Sequence, residues 1–559
     1  MNKPAWIHGR RLEWLGTATV VAAAIWYWLQ FFNRNTNLLD EGSTAAQAMR
    51  VVRGDLIYRD FFTVVTPGSY YTTAWLFQLF GEHLIVLRWA ALITGIGILI
   101  ATLLITRPLA SWPFAAGAAL LTTVWGWFLC TPNFYSLEAA LFGLTGLAVF
   151  LHAQASANDR AQRQMLVASG VAIGVTAMVK QNVGTFAAIA LLLSIWLTAI
   201  FDSTIDARRR LRETVAFIGG ICVPVVPTVA WLVAAGAGPY LYESWVYYPL
   251  VRYPERFALP FPSFFPLSSS EPFELWTKLV IYMPVVVYPA AAVALFLLAR
   301  RARWGDAGAR HEGRALLTVT LAGMFAFLQA WPRADVTHIL FGLQPTFALF
   351  AWLLARLVRS PGVNGAIASP QRSTAWRLLP VLATLPLALL LWKGYQRTTW
   401  EYQNYVAGLH VERGRGVFAQ FVEARRIDTV TQYIVDHSTP DEGLFVVPWA
   451  SGFNFLADRM NPTRTDFMLF EDPEAYPCLL ARLDERPPKY VIYGYTWDVD
   501  NKRFRDYAAP VDQYIRSRYA IEFTTDGYEI WRRVGQASTA PVQGKACQPR
   551  RFRWRDLVR

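Results

Sequence analysis

The feature that most constrains this 559-residue chain is a series of long apolar runs, each near the roughly 20 residues a helix needs to cross a hydrocarbon core. Inside lipid every backbone N–H and C=O must be satisfied within its own segment, so such runs become helices. Eleven are legible, at 12–32, 85–106, 112–129, 134–151, 165–179, 183–201, 214–235, 278–299, 316–331, 339–357 and 378–392. Charge then divides the chain near residue 400: Lys, Arg, Asp and Glu make up 49 of the first 400 residues and 44 of the last 159. Over the whole chain 54% of residues are hydrophobic and 17% charged, against roughly 25% charged in soluble domains. This composition excludes an all-soluble enzyme and a disordered chain. The fold class expected is membrane all-α with about 11 transmembrane helices over 1–399, followed by a soluble α/β domain over 400–559.

A net charge of +13 would suit a nucleic-acid binder, but its placement does not. One alternating set of short loops holds 19 bases against 7 acids, including Arg10, Arg11, Arg208, Arg209, Arg210, Arg300, Arg301 and Arg303. The rest of the first 400 residues holds 12 bases against 11 acids. Lys and Arg are retained on the cytoplasmic side, so the pattern predicts a multi-pass protein of the cytoplasmic (inner) membrane with its N-terminus inside. An odd number of spans then exports the C-terminal domain, which is periplasmic in a Gram-negative cell. Lys3, Arg10 and Arg11 ahead of the first run imitate a signal peptide, but Phe31-Phe32-Asn33-Arg34 follows without small residues for cleavage, so the run reads as a retained span. The four cysteines show no metal spacing. Cys130 and Cys222 fall in or beside spans; Cys478 and Cys547 lie in the exported part, where a disulfide and two free thiols are both open readings.

Two outside loops are long, 33–84 and 236–277. The first carries Asp40-Glu41-Gly42, a short amphipathic stretch ending at Gly54, then Tyr58-Arg59-Asp60-Phe61-Phe62 and Pro67-Gly68-Ser69-Tyr70-Tyr71. The apolar stretch 70–80 is too short to span and reads as interfacial or re-entrant. An acidic pair at a membrane boundary is costly unless solvated or paired and often marks function. The bland reading makes Asp40 a helix N-cap. The order of span, Asp-Glu-Gly, short helix, Tyr-Arg-Asp-Phe-Phe, Pro-Gly-x-Tyr-Tyr and a second span beginning near an Arg resembles the GT-C superfamily of integral-membrane glycosyltransferases. Its branch of protein O-mannosyltransferases and aminoarabinose transferases is the nearest in pattern. The motif block is 37–88; the rest of the likeness, over about 12–395, is span pattern.

The resemblance implies an inverting transfer of a sugar from a polyprenyl-phosphate carrier to an acceptor hydroxyl outside the membrane. By position in the motif, Asp40 is the expected general base, Glu41 its support or an acceptor-orienting group, and Glu138 a third catalytic carboxylate. Glu138 also reads as a helix-terminal Glu favoured by the dipole. Phosphate needs cations. Candidates for donor phosphate or sugar are Arg59, Lys180, Arg333 held by Asp335, and His338, with Tyr58 and Asp60 of the same motif and Arg252 and Arg256 of the second loop. Lys180 interrupts apolar sequence, where snorkelling to the interface is the bland alternative. Relatives often have Lys-Pro-Pro where this chain has Val65-Thr66-Pro67, so another cation must serve here.

The second loop is rich in Tyr, Trp, Phe and Pro, which suits an interfacial aromatic belt or a flap over the lipid entrance. No cofactor is required, and no metal ligand set is assigned, although carboxylates 40, 41 and 138 could hold a divalent cation if they converge. Expected partners are the lipid-linked sugar, a glycan, lipid or protein acceptor, and membrane lipids, with no nucleic acid. In the exported part, 417–436 and 504–519 read as helices, 444–447 and 490–493 as buried strands, and 520–533 as a hairpin around Asp526-Gly527. Asp458, Arg459 and Arg464 read as structural salt-bridge formers, and the tail Arg550-Arg551-Phe552-Arg553 as lipid-surface contact or a disordered end. The rival class is a transporter or flippase for lipid-linked sugars; no internal repeat of the kind common in transporters is evident.

Overall fold

A computed structural model of the chain describes residues 5–126, 134–202, 206–268, 271–359, 374–495 and 502–534. Over the described residues the eleven apolar runs are mainly helical, although the run at 339–357 is broken at 341–343 and residues 127–129 lie outside the described residues. In chain order the helical part comprises α1 (Ala5–Leu29), α2 (Asp40–Val52), α3 (Gly68–Phe80), α4 (Leu84–Thr106), α5 (Trp112–Gly126), α6 (Phe134–Ala155), α7 (Asp159–Val179), α8 (Gln181–Leu197) and α9 (Ala207–Ala234). After α10 (Gly238–Tyr242), a π-helix (Glu243–Arg252) and α11 (Tyr253–Phe257) come α12 (Glu274–Ile281), α13 (Met283–Arg303), α14 (Ala307–Leu328), α15 (Val336–Leu340), α16 (Gln344–Arg359) and α17 (Thr374–Tyr402).

Five helical segments among the described residues are long and apolar enough to cross a membrane: Leu84–Thr106, Tyr135–Ala155, Gln181–Ile200, Ala207–Ala234 and Glu274–Arg303. Their outer faces are apolar and uncovered, as at Val223 on α9 and at Val286 and Phe296 on α13. Apolar faces on this scale belong against lipid rather than water. Pro224 and Pro227 inside α9 fit the same setting, since neighbours re-satisfy freed backbone groups in a bundle. Helices α7 and α9 meet backbone to backbone: a Cβ on Gly170 would stand 2.1 Å from the Phe217 carbonyl, and one on Gly220 2.2 Å from that of Val167. Small residues at such a contact are how membrane helices gain dispersion contact without a hydrophobic drive.

The C-terminal part begins with a short antiparallel pair, β1 (Tyr405–Gly408) and β2 (Phe418–Gln420), leading into α18 (Phe421–His437). A four-stranded sheet follows in the order β3 (Leu444–Val447), β4 (Tyr490–Gly494), β6 (Tyr528–Arg533), β5 (Tyr519–Thr525). Strand β3 runs parallel to β4, whereas β6 is antiparallel to both β4 and β5. Strands β3 and β4 are buried along their whole length, as their unbroken apolar runs require. The expected helix at 504–519 is interrupted at Ala508, ahead of Pro510, and resumes as Ala509–Arg518. Gly527 turns the β5–β6 hairpin with φ +85°. Cys478 is disulfide-bonded; Cys547, Cys130 and the basic tail lie outside the described residues.

The long loop at 33–84 is bolted to the C-terminal part. Phe62 N–H donates to the Arg464 carbonyl (2.7 Å), and Arg464 Nη2 returns a bond to the Tyr58 carbonyl (2.6 Å). Gln47 Nε2 donates to Asp466 (3.0 Å), Arg50 Nη1 to the Thr463 carbonyl (2.8 Å), and Ser43 and Ser451 share a hydroxyl bond of 2.7 Å. A Cβ on Gly42 would lie 2.6 Å from Gly452 Cα, so the turn carrying the acidic pair rests directly on the backbone preceding α19 (Gly452–Leu456).

Candidate active site

Asp40 opens α2 but does not cap it. Asn37 does: its Oδ1 accepts from the N–H groups of Leu39 (3.0 Å) and Asp40 (2.8 Å), a preferred capping chemistry. Its Nδ2 donates to Asp40 Oδ2 at 3.0 Å. Asp40 is therefore spared the capping duty that the residue types alone allowed it. Burial pushes its carboxyl above the ordinary range, opposed by the Asn37 bond and by the nearby charges of His338 and Arg333.

Glu41, one residue on, has a different fate. It is buried and held bidentately by Arg88, Nη2 to Oε2 at 2.5 Å and Nε to Oε1 at 2.6 Å. Arg88 also donates to the carbonyls of Arg34 (3.1 Å) and Asn35 (2.6 Å). The pair ties α2, the end of the α1 connection and α4 together, leaving Glu41 as a structural anchor. Glu138 is buried on the first turns of α6, with Ser69 of α3 as its polar neighbour and Oε2 without a hydrogen-bond partner. Among the described residues no three His, Cys, Asp or Glu side chains gather as a metal-binding group, and the commitment of Glu41 to Arg88 keeps 40, 41 and 138 from forming one.

Lys180 breaks the helix between α7 and α8, with extended backbone and its ammonium donating to Ser136 Oγ at 2.9 Å. The charge lies over the rings of Tyr135 (5.5 Å) and Phe341 (5.9 Å). Burial lowers it to about 8, against the opposing pull of Asp335 and Asp40. The third component comes from the turn before α15. Asp335 caps that helix through the His338 N–H (2.9 Å), accepts from the His338 ring at Nδ1 (2.8 Å), and accepts from Arg333 Nε (2.9 Å). Although burial acts to raise it, the His338 bonds and the Arg333 charge hold the Asp335 carboxyl at about 2. Asp40, Lys180, Arg333, Asp335 and His338 thus form one electrostatic group drawn from three distant stretches of sequence.

A cleft opens between α6, α8, α14 and α16. Its walls are apolar, with Ala139, Leu144, Leu191 and Ala322 among them, and its lining includes Ser136 and Phe341, the residues that touch Lys180. A cation at the head of an apolar cleft can take a ligand that is anionic at one end and hydrocarbon at the other.

The remaining expected residues stand elsewhere. Arg59 and Asp60 pair with each other at 2.7 Å, and Asp60 also accepts from the Leu56 N–H at 2.8 Å, closing a turn. Tyr58 is buried with φ +70°, its hydroxyl donating to the Val65 carbonyl (2.9 Å). Arg252 and Arg256 both engage Asp472 of the C-terminal part, at 3.1 and 2.8 Å, and Arg256 also donates to the carbonyls of Leu469 and Glu471. They dock the aromatic loop on that part instead of joining the Asp40 group. The loop still touches the site through its backbone: the Leu259 N–H donates to the Pro332 carbonyl (3.0 Å) and the Leu259 carbonyl accepts from the Ala334 N–H (3.2 Å), flanking Arg333. Asp458 pairs with Arg53 and Arg413, and Arg459 donates to the Ser438 and Ala457 carbonyls. The reading from sequence overlooked Asn37, although Asn three residues before an acidic helix start is a capping signal. It also passed over Ser136, for which nothing in the local sequence gives a sign.

No protein-family model matches this sequence, and no curated protein matches it either. Solved structures do. The aminoarabinose transferase ArnT from Cupriavidus metallidurans, in its apo state, superposes with a TM-score of 0.56 at 15% identity, covering 95% of this chain and 99% of that one. The same protein bound to undecaprenyl phosphate gives 0.55 over 93% and 98%. The archaeal oligosaccharyltransferase AglB from Archaeoglobus fulgidus, in complex with an inhibitory peptide and a dolichol-phosphate, gives 0.55 at 12% identity over 94% and 75%. At such identities the likeness is one of fold: this membrane-embedded chain shares the fold of these neighbours, which are GT-C glycosyltransferases.

Proposed function

We propose that the protein is a glycosyltransferase that moves a sugar from a polyprenyl-phosphate carrier to an acceptor hydroxyl at the outer face of the cytoplasmic membrane. The observation that carries this reading is the convergence of Asp40, Lys180 and the Arg333–Asp335–His338 turn above an apolar cleft. All eleven apolar helices span, with the N-terminus inside and the C-terminal domain, 400–559, outside; the charge asymmetry of the loops supports that orientation.

In the proposed step the acceptor oxygen attacks the anomeric carbon with inversion. The new C–O bond forms as the bond to the lipid phosphate breaks, and the phosphate leaves with the bonding pair. Asp40 receives the acceptor proton; a base pushed upward from the usual carboxylate range suits this task. Lys180, Arg333 and His338 meet the charge that develops on the phosphate, and Asp335 keeps the latter two aimed. The first isoprene units enter the cleft beneath Lys180. Glu138, buried with an unsatisfied oxygen, holds a sugar or acceptor hydroxyl. The cations present supply the charge stabilisation, so the reaction proceeds without a divalent metal.

The test is transfer to a bacterial membrane extract from sugar-labelled undecaprenyl-phosphate pentoses and hexoses, comparing the parent with Asp40→Asn in the presence and absence of EDTA. Transfer by the parent and its loss in the variant support the reading. Undiminished transfer by a folded Asp40→Asn protein removes the base assignment, and failure with every donor turns the reading toward movement of lipid-linked sugars across the bilayer.

A further inference from the structure

In the turn that carries Asp40, Asn37 directs hydrogen bonds at both the backbone and the Asp40 carboxylate. Asn37 accepts two backbone N–H groups at the start of α2, from Leu39 and Asp40, so its oxygen must face the helix end. A side-chain amide has its acceptor and donors on opposite arms. Fixing the oxygen therefore fixes the NH2, which points at Asp40 Oδ2 at 3.0 Å. The Asn37 carbonyl also accepts from the Gly42 N–H at 2.9 Å, closing the turn from the backbone side. Arg88 holds the neighbouring Arg34 and Asn35 carbonyls, and Gly452 N–H donates to the Leu38 carbonyl at 3.1 Å. With both flanks pinned, neither the backbone nor the amide of Asn37 has a second orientation that keeps these bonds.

We infer that Asn37 is a positioning residue for the transfer reaction: it aims one carboxylate oxygen of Asp40 and stabilises that carboxylate in its ionised form. The inference rests on the role proposed for Asp40. The charged and titratable groups facing Asp40 from the packed elements are Lys180 between α7 and α8, Arg333, Asp335 and His338 before and on α15, and Tyr70 on α3. Among the described residues, the side-chain hydrogen bond to Asp40 comes from Asn37. A hydrogen bond donated to the charged form favours that form, so removing it raises the pH at which Asp40 ionises. The acidic limb of the rate profile then moves upward.

Two variants separate aiming from capping. Asn37→Ser keeps a good helix cap but has no amide to donate to Oδ2. Asn37→Asp keeps the capping oxygen and sets a second carboxylate against the first, which raises the apparent ionisation further. The full-length protein in nanodiscs is assayed across pH with the undecaprenyl-phosphate donor that the parent uses, and the carboxyl stretch absent from Asp40→Asn is titrated by difference infrared spectroscopy. For Asn37→Ser the midpoint is expected to rise by about one pH unit, about a tenfold loss of rate at a fixed pH on the acidic limb, with Asn37→Asp shifted more. Midpoints equal to the parent in a folded Asn37→Ser protein overturn the inference, because a residue that only caps would leave them in place. If Asp40→Asn proves active, the reading of Asp40 fails on its own, and the infrared titration still decides whether Asn37 governs its ionisation.

Discussion

Two clusters of charge in this protein are built on opposite plans. Around Asp472, every cation has a countercharge: Arg252 meets Glu255 and Asp472, and Arg256 meets Asp472 and two carbonyls. Around Asp40, the carboxylate accepts from a neutral amide, and Lys180 donates to a neutral hydroxyl above an apolar cleft. The first arrangement holds two pieces of structure together. The second pairs Arg333 and His338 with Asp335 but leaves Asp40 and Lys180 on neutral partners, opposite charges near one another without contact, a costly state unless a ligand completes it. Charge in an outside loop therefore marks a site only where the fold leaves it incompletely answered, and the aromatic loop's arginines do not meet that condition.

The comparison breaks most readily at Asp40. Replacing it by Asn should lower kcat/KM for transfer by on the order of 10³-fold, within the range for a general base, whereas Asp472→Asn should leave kcat/KM within a few-fold. Equal losses at both positions would erase the distinction. Next in size is Glu41→Gln, which strands the Arg88 charge. Breaking a buried pair costs about 3–5 kcal/mol, so the detergent-solubilised protein should lose several degrees of thermal stability, a loss measurable without any substrate.

Lys180→Met should raise KM for the lipid-linked donor on the order of 10–100-fold, as for a lost hydrogen bond to a charged group, with a smaller change in kcat. In the parent, the Lys180 charge is present below its value of about 8 and lost as pH rises through it. Donor affinity should accordingly weaken above pH 8, and Lys180→Arg, which keeps its charge there, should flatten that limb. A KM independent of pH from 7 to 9 in the parent would falsify Lys180 as the phosphate contact. The smallest effect is expected at Asp472→Asn itself. It should loosen the loop at 252–256, seen as faster limited proteolysis there, and raise KM by less than about fivefold through the Leu259 pairing beside Arg333.

Much of the frame was legible because period and length are local properties. Over the described residues the apolar runs are mainly helical, five of these helical segments being long and apolar enough to span, and the strands at 444–447 and 490–493 and the hairpin at Gly527 stand where apolar runs and turn chemistry put them. The limits of that legibility show in neighbouring residues. Asp40 and Glu41 are adjacent acids with equal claims by type, and a contact with Arg88, 47 residues away, is what commits one of them to structure. Arg59 and Arg333 look alike as loop arginines beside an Asp, yet Arg59 ends at a solvent-facing turn and Arg333 near Asp40.

The sequence by itself determined that the chain is a membrane protein, which loops carry the basic excess, and that 37–88 holds an acidic pair followed by a Tyr-Arg-Asp-Phe-Phe segment. These follow from hydropathy, charge and short-range spacing, which need no knowledge of what packs on what. Only the tertiary structure decided which charges assemble. Residues 40, 180 and 333–338 are brought together by helix packing, and the energy of a buried charge depends on the partners within a few ångströms, not on its place along the chain.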